Sequence, residues 1–185
     1  MKRVLSIQDI SCIGKCSLTV ALPIISAMGI ETSILPTSIL STHTMFNDFT
    51  FRDLTDDMEP IKKHWQKEGF SFDAIYTGYL GSEKQITLVK DYFKTFGNTC
   101  KYIIVDPAMA DNGKLYSGFD KDFPLKMAKL CKYADVILPN ISEAAFMTGM
   151  PYPGENASNE CIKDLLLSLA KLGSKIIVIT GVESA

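Results

Sequence analysis

Six short apolar runs in this chain each end in a small cluster of polar, glycine or tyrosine residues. The run over residues 102–105 leads directly into Asp106, and residues 136–138 lead into Pro139 and Asn140. Such runs predict buried strands, and the helical patterns between them favour parallel pairing. Parallel strands place their carboxyl ends along one edge of a sheet, where open α/β sheets bind ligands. The sequence therefore predicts where a site lies before it indicates the chemistry. The other four runs cover residues 3–7, 34–40, 74–75 and 176–179.

Apolar residues at helical spacing fill the stretches between these runs. Ile86, Val89 and Phe93 recur at intervals of three and four residues, and Ser82 with Gln85 predicts a capping box at the start of that helix. The alternation of strands and helices predicts an α/β fold with a mostly parallel sheet and helices on both faces.

Two segments fit this alternation less simply. Pro23 interrupts a helical pattern, so that helix either starts late or is kinked at the proline. Residues 43–57 alternate aromatic and polar side chains, which predicts either a small flap or edge strand over the site, or aromatic rings packed on the core. A length of 185 residues favours one domain, so we expect residues 1–185 to form a single α/β domain.

Composition argues against several classes of function. A net charge of −2 with scattered Lys and Arg gives no reason to expect nucleic acid or an anionic membrane as partner. No stretch approaches the ~20 apolar residues of a membrane span. The apolar start of the chain ends at Gln8 and Asp9, too early for a signal peptide. Five cysteines without a C-x-x-C pair are typical of reduced, buried thiols, so we expect a cytoplasmic protein.

Acidic and amide side chains, rather than a known phosphate loop, follow the predicted strands. The sequence contains no G-x-x-x-x-G-K-[S/T], no G-x-G-x-x-G and no G-x-S-x-G pattern. Asp106, Asn140 and Glu143 come from successive α/β units, and hard oxygen ligands of this kind suit Mg²⁺ bound together with nucleotide phosphates. The same residues also fit a turn and a helix cap, and the spacing by itself favours the cap slightly.

Five short motifs, taken together, resemble the pyridoxal kinase branch of the ribokinase-like superfamily. Residues 14–23 are similar to the form found in pyridoxal kinases of Gram-positive bacteria, and the resemblance covers essentially the whole chain. It implies a three-layer ribokinase-like fold and a cytoplasmic homodimer. It also implies Mg²⁺-dependent transfer of the ATP γ-phosphoryl group to the 5′-hydroxymethyl group of a vitamin B6 vitamer. The motifs are residues 6–9 (SIQD), 41–44 (STHT), 76–82 (YTGYLGS), 106–111 (DPAMAD), and 134–140 (ADVILPN) with Glu143.

The resemblance implies a role for individual positions as well. Such a transfer depends on positioning and charge neutralisation, with an aspartate accepting the hydroxyl proton. The side chains expected to bind the vitamer are Asp9, His43, Thr44, Tyr79 and Tyr116. Those expected at the nucleotide are Asp106, Asn140 and Thr180, and those expected at Mg²⁺ are Asp106, Asp111 and Glu143.

One expected group has no counterpart in this sequence. The superfamily places its proton-accepting aspartate in a G-T-G-D-like motif after the strand that corresponds to residues 176–180, and no G-x-G-D occurs in the 185 residues. We therefore expect the catalytic base to lie beyond Ala185 and the chain to be a C-terminally truncated kinase. Two alternatives are a non-catalytic protein that binds a B6 vitamer, and a hydroxymethylpyrimidine kinase, whose usual D-P-S-G-G-A-G start is not present.

Overall fold

Six strands of the structure overlap the six apolar runs of the sequence. The computed structural model describes residues 1–154 and 156–182, and the chain divides into two units, Met1–Ile103 and Ile104–Ala185. Each unit combines parallel strands with helices, which confirms the predicted α/β class. The expectation of one domain over residues 1–185 stays a prediction.

Three parallel strands form the centre of the first unit. β1 lies between β2 and β4, and both pairings are parallel. Five consecutive residues of β1, from Leu5 to Asp9, are buried, as expected for a parallel strand that is covered on both faces. The three strands are β1 (Arg3–Ser11), β2 (Glu31–Leu40) and β4 (Ala74–Thr77).

The segment over residues 43–57 contains an edge strand. β3 (Phe51–Asp53) pairs with β2 in antiparallel orientation. The aromatic side chains of Phe46 and Phe51 are 52% and 49% exposed. The expected edge strand is therefore confirmed, whereas the alternative that these rings pack on the core is wrong for both of them.

Three helices belong to the first unit: α1 (Leu18–Ala27), α2 (Thr55–Lys67) and α3 (Glu83–Phe96). Pro23 lies inside α1, so the expectation of a late start is wrong. In α3, Ile86, Val89 and Phe93 are buried, as their spacing predicts.

The predicted capping box at the start of α3 is only half formed. Ser82 Oγ accepts a hydrogen bond from the Gln85 backbone N–H at 3.3 Å, which is the expected cap. The Gln85 side chain does not return to Ser82, because its Oε1 accepts from the Gly81 N–H at 2.8 Å instead. The glutamine is 1% exposed and has other partners in the interior of the unit.

The second unit begins within β5 and repeats the parallel arrangement. β5 (Tyr102–Val105) pairs with β8 (Val136–Ile137), and β8 pairs with β9 (Ile176–Ile177). The helices of this unit are α4 (Phe123–Cys131), α5 (Ile141–Thr148) and α6 (Asn159–Ala170). α5 begins directly after Asn140, which caps it.

A small hairpin in the second unit was not predicted. β6 (Ala110–Asp111) and β7 (Lys114–Leu115) pair in antiparallel orientation. The turn residues Asn112 and Gly113 both have positive φ angles, 49° and 70°. Asn-Gly between two strand residues is the preferred pair for such a turn, so a local signal for the hairpin was present.

No helix in residues 1–154 and 156–182 is both long enough and apolar enough to cross a lipid bilayer.

The cysteines differ in accessibility, and burial of all five was a wrong expectation. Cys131 is buried, whereas Cys12 and Cys161 are exposed. The remaining two, Cys16 and Cys100, are half-buried.

We expect cysteine alkylation to follow this difference. Burial raises the pKa of Cys131 to about 12, and the charges of Glu143 and Asp106 act in the same direction, so its reactive thiolate is scarce and inaccessible. Iodoacetamide at pH 8 should modify Cys12 and Cys161 in the native chain, and Cys131 only in denaturant. Peptide mass spectrometry measures this, and native labelling of Cys131 as fast as that of Cys161 would contradict it.

Candidate functional site

Asp9 lies at an irregularity of the longest parallel pairing. The register between β1 and β2 shifts between Gln8 and Ile10, so a β-bulge surrounds Asp9. Bulges re-aim side chains and are common beside active sites. The Asp9 residue is 5% exposed. The sequence predicts a polar residue near the end of this strand. The register shift at Asp9, however, depends on the pairing of β1 with β2.

The Asp9 carboxylate is only partly satisfied by its neighbours. Ser11 Oγ donates to Oδ2 at 3.4 Å, while Oδ1 is buried and has no hydrogen-bond partner among the residues that the structure describes. Burial raises the pKa of Asp9, and hydrogen bonds from the hydroxyl groups of Ser17 and Ser11 counter part of that effect. A buried acceptor of this kind is suited to an N–H or O–H group of a ligand.

His43 is held against a glycine in the loop that follows β1. Gly14 has a φ of 119°, and a Cβ atom at this position would lie 2.5 Å from Cδ2 of the His43 ring. The imidazole Nδ1 accepts a hydrogen bond from the Met45 N–H at 3.4 Å, and its ring centroid is 4.9 Å from that of Phe46. The neighbouring Thr44 is exposed. The His43 ring thus occupies space that is available only because Gly14 has no side chain.

Tyr79 follows β4 and is electrostatically coupled to Asp9. Burial raises the pKa of the Tyr79 phenol, and the negative charges of Asp9 and Asp53 raise it further. Thr37 Oγ1 donates to the backbone carbonyl of Tyr79 at 3.3 Å. The structure therefore brings together two of the side chains that the resemblance assigns to the vitamer, Asp9 and Tyr79. Asp53 is a third charged neighbour that the sequence analysis did not select.

In the second unit, Asn140 and Glu143 form a complete capping box at the start of α5. Asn140 Oδ1 accepts from the Glu143 N–H at 2.9 Å, and Glu143 Oε2 accepts from the Asn140 N–H at 2.8 Å. The other atoms of these side chains reach the 106–111 segment. Asn140 Nδ2 donates to the Ala110 carbonyl at 2.7 Å, and Glu143 Oε1 accepts from the Met109 N–H at 3.0 Å. The cap interpretation is confirmed, and the metal role of Glu143 stays a prediction.

Glu143 is an unusual carboxyl group because it is 2% exposed. Burial raises its pKa to about 8, and the charge of Asp106 adds to this, although the backbone N–H groups of Asn140 and Met109 favour the ionised form. Tyr116 lies close enough to the same acidic groups to be affected by them. Burial raises the pKa of its phenol to about 12, and the charges of Glu143, Asp111 and Asp106 contribute to this shift. The structure thus places Tyr116 beside the residues assigned to the nucleotide and the metal. Its assignment to the vitamer stays a prediction.

A cavity of about 230 Å³ opens at the start of α5. It contains three of the predicted residues, Asp111, Asn140 and Thr180. Thr180 is placed by its N–H, which donates to the Pro139 carbonyl at 2.9 Å. The sequence analysis missed the remaining lining residues, which are Asn112, Ile141, Ser142, Tyr152, Asn156 and Gly181.

Ser142 and Tyr152 join this cavity to the hairpin turn. Ser142 Oγ accepts from the Gly113 N–H at 2.8 Å. A Cβ atom on Gly113 would lie 2.5 Å from the Tyr152 ring. Ser142 falls between the two capping residues in the first turn of α5, so its position was accessible to sequence reasoning. Tyr152 had no such local signal.

The oxygen donors of the second unit fit Mg²⁺ only in company with a ligand. Within residues 1–154 and 156–182, no three His, Cys, Asp or Glu side chains are grouped so that they could hold a metal ion. Mg²⁺ is commonly held by one or two carboxylates, with phosphates and water completing its shell. Asp106 and Asp111 supply such carboxylates, whereas both oxygens of Glu143 already accept backbone N–H groups.

Comparison with known proteins finds one matching sequence family and several similar structures. The sequence model of the phosphomethylpyrimidine kinase family matches residues 31–185. The structure of pyridoxal kinase from Lactobacillus plantarum gives a TM-score of 0.90 at 35% identity, covering 100% of this chain and 66% of that one. A candidate phosphomethylpyrimidine kinase from Bacteroides thetaiotaomicron, crystallised with pyridoxal, gives 0.93 at 42% identity, covering 99% of this chain and 64% of that one. Pyridoxal kinase from Actinobacillus pleuropneumoniae is 27% identical over 175 residues, which is 90% of this chain and 60% of that protein.

These matches confirm the resemblance on which the site assignments rest, and with it the predicted α/β architecture. The similarity to the Gram-positive form stays a prediction. The chain spans between 54% and 60% of the length of the curated relatives from Schizosaccharomyces pombe and Actinobacillus pleuropneumoniae.

We expect replacement of Gly14 by alanine to displace His43. An L-residue is strained at the Gly14 φ, at a cost of about 1–3 kcal/mol, and the new methyl group would overlap the imidazole. Gly29→Ala is the matched control, because Gly29 also has a positive φ, 76°, but nothing lies within 4 Å of the added Cβ. The chain has only two histidines, so NMR resolves the His43 ring directly. Equal ring shifts in both variants would contradict the packing.

We expect Asn140→Ala to lower the free energy of unfolding by about 1–3 kcal/mol, since it removes the cap and leaves the Ala110 carbonyl without its donor. Ser158→Ala is the matched control, because Ser158 caps α6 through the Cys161 N–H alone and should cost about 1 kcal/mol. Urea unfolding measures both. A loss in Asn140→Ala no larger than in the control would show that the Ala110 bond contributes nothing.

Proposed function

This chain belongs to the phosphomethylpyrimidine kinase family, and from that premise we propose that it binds a vitamin B6 vitamer and ATP for phosphorylation of the vitamer's 5′-hydroxymethyl group. The observation that carries the proposal is Asp9, whose buried Oδ1 has no partner among the described residues and whose charge acts on Tyr79. A polar heteroaromatic ring can supply the missing donor. The pyridoxal kinases among the relatives, and the pyridoxal in the Bacteroides structure, support a pyridine ring.

The first unit supplies the vitamer contacts in this proposal. Asp9 accepts a hydrogen bond from the ring or its substituents, and Tyr79 presents a phenol that stays neutral because its pKa is raised. His43, packed on Gly14, limits the space available to the ring. Thr44 and Tyr116 are further vitamer contacts that the family resemblance supports.

The second unit supplies the nucleotide contacts. Asn140, Thr180 and Asp111 line the cavity at the start of α5, where the helix N-terminus favours negative charge such as a phosphate. Mg²⁺ would be held by Asp106 and Asp111 and would neutralise charge on the phosphates. Glu143 stabilises the backbone of this region, because its two oxygens accept hydrogen bonds from the N–H groups of Met109 and Asn140.

In the reaction, the vitamer's hydroxyl oxygen forms a bond to the γ-phosphorus while the bond from that phosphorus to ADP breaks. The hydroxyl proton passes to a base, which the family resemblance assigns to the aspartate of a G-x-G-D motif. No such motif occurs in these 185 residues. We therefore assign substrate binding, and not proton acceptance, to the residues of this chain.

A second candidate substrate is hydroxymethylpyrimidine, because a relative from Haemophilus influenzae, 30% identical over 120 residues, is named a hydroxymethylpyrimidine/phosphomethylpyrimidine kinase. It is also a heteroaromatic alcohol, so Asp9 could bind it in the same way. Competition between the two alcohols for one preparation of the protein separates the candidates. A non-catalytic vitamer-binding protein is the remaining alternative.

The family resemblance also supports a cytoplasmic homodimer. The five cysteines form no disulfide among the described residues. Analytical ultracentrifugation of the chain tests the dimer directly.

We expect the 185-residue chain to bind pyridoxal, and Asp9→Ala to raise the Kd about tenfold or more, because a hydrogen bond to a charged group is lost. The Kd for MgATP should be unchanged. Asp164→Ala, an exposed aspartate on α6, is the control and should leave both constants unchanged. Isothermal titration measures all of these values, and an unchanged pyridoxal Kd in Asp9→Ala would contradict the assignment.

Phosphoryl transfer itself should require a G-x-G-D motif. The chain fused to the G-x-G-D segment of a pyridoxal kinase should form pyridoxal phosphate from pyridoxal and MgATP, while the chain alone should not. A fusion that binds both substrates and transfers no phosphate would favour the non-catalytic alternative.

A further inference from the structure

A single buried side-chain amide joins three segments of the first unit. Gln85 lies in the first turn of α3 and is 1% exposed. Its Oε1 accepts from the Gly81 N–H at 2.8 Å, and its Nε2 donates to the Thr37 carbonyl at 3.0 Å. The same nitrogen lies 2.9 Å from Thr55 Oγ1 and 3.2 Å from Asp53 Oδ1. The amide therefore ties together β2, the turn from β3 into α2, and the loop from β4 into α3.

The chemistry of these partners fixes the orientation of the amide and requires both a donor and an acceptor at this position. Gly81 offers a donor, whereas the Thr37 carbonyl and the Asp53 carboxylate offer only acceptors. An amide with its oxygen towards Gly81 and its nitrogen towards Thr37 satisfies all of them. An ionised glutamate has the same shape but no donor, so it would face two acceptor oxygens without a proton between them.

Each of the three segments that Gln85 joins affects either the backbone or the phenol of Tyr79. Tyr79 lies two residues before Gly81 in the same loop. Thr37, whose carbonyl accepts from Gln85, donates through its own hydroxyl to the Tyr79 carbonyl. Asp53, which also accepts from Gln85, contributes the charge that acts on the Tyr79 phenol. One amide thus makes hydrogen bonds to the loop that carries Tyr79, to β2, and to Asp53, whose charge acts on the Tyr79 phenol.

We infer that Gln85 is a positioning residue for the vitamer: it holds the loop over residues 78–81 so that Tyr79 stands beside Asp9. This inference rests on the proposed function, since it gives Tyr79 a vitamer to contact. Gln85 itself touches no substrate and acts through the loop. Vitamer binding should depend on Gln85, whereas nucleotide binding should not.

Gln85→Glu tests the inference because its defect depends on pH. At pH 5.5 a protonated carboxyl can still donate, and the pyridoxal Kd should match that of the unaltered chain. At pH 8.5 the ionised carboxylate cannot donate, and the ratio of the two Kd values should rise to about ten. Gln85→Met, which keeps the length of the side chain without its polar atoms, should show the same loss at both pH values. Gln66→Glu introduces the same charge at an exposed position of α2 and should leave the ratio near one.

Two further readouts separate positioning from general destabilisation. Hydrogen exchange at the Gly81 amide should accelerate in Gln85→Met while the MgATP Kd stays within twofold of the unaltered value. In a double-mutant cycle with Tyr79→Phe, the losses in pyridoxal affinity should be less than additive, because both changes act on one contact.

The possible outcomes distinguish failure of the proposed function from failure of the role assigned to Gln85. No pyridoxal binding by the unaltered chain would overturn the proposed function and this inference with it. Binding by the unaltered chain, with an unchanged Kd in Gln85→Met or additive losses with Tyr79→Phe, would overturn this inference alone. If Gln85→Glu does not fold at pH 8.5, Gln85→Met and the cycle built on it decide the question.

Discussion

A polar group buried away from water has to find its hydrogen-bond partners inside the protein, and this constraint determines how the loops of each unit are held. In the first unit the group is the Gln85 amide, with partners on three segments. In the second it is the Glu143 carboxyl, which accepts from Met109 and Asn140. Because each group serves several backbone segments, its loss would leave several of them unsatisfied together. Tyr79 lies in the loop that Gln85 holds at Gly81, and Asn140 lies on the backbone that Glu143 holds.

Local information was sufficient for the strands, for most helices and for the cap of α5. The strand at residues 102–105 is apolar throughout, and the cap at Asn140 needs only the glutamate three residues later, so neighbouring residues contain both signals. The Asn112–Gly113 hairpin had an equally local signal that the sequence analysis did not use. The position of Asn140 after a parallel strand was likewise predictable, because parallel strands share an edge, whereas β1 continues two residues past Asp9.

The details that give the site its chemistry arise from distant partners. Gln85 was taken as half of a capping box, yet its carbonyl partner Thr37 is 48 residues away in the sequence. The pairing of β1 with β2 is irregular at Asp9, and no local pattern encodes this register shift. The packing of His43 on Gly14 likewise joins two loops that follow different strands. Sequence spacing therefore identifies which residues are available, and the fold decides what each of them faces.

The burial of Glu143 makes folding of the second unit a proton-uptake reaction. Its pKa rises from an ordinary value of 4.5 to about 8 in the fold, so between those values the folded chain keeps a proton that the unfolded chain has released. The contribution of this group to stability is therefore greatest in acid and declines as the pH rises through that interval. A cation that arrived next to the carboxyl would favour its ionised form and expel the proton. Binding of such a cation next to Glu143 would then be measurable as a fall in the pH of a weakly buffered solution.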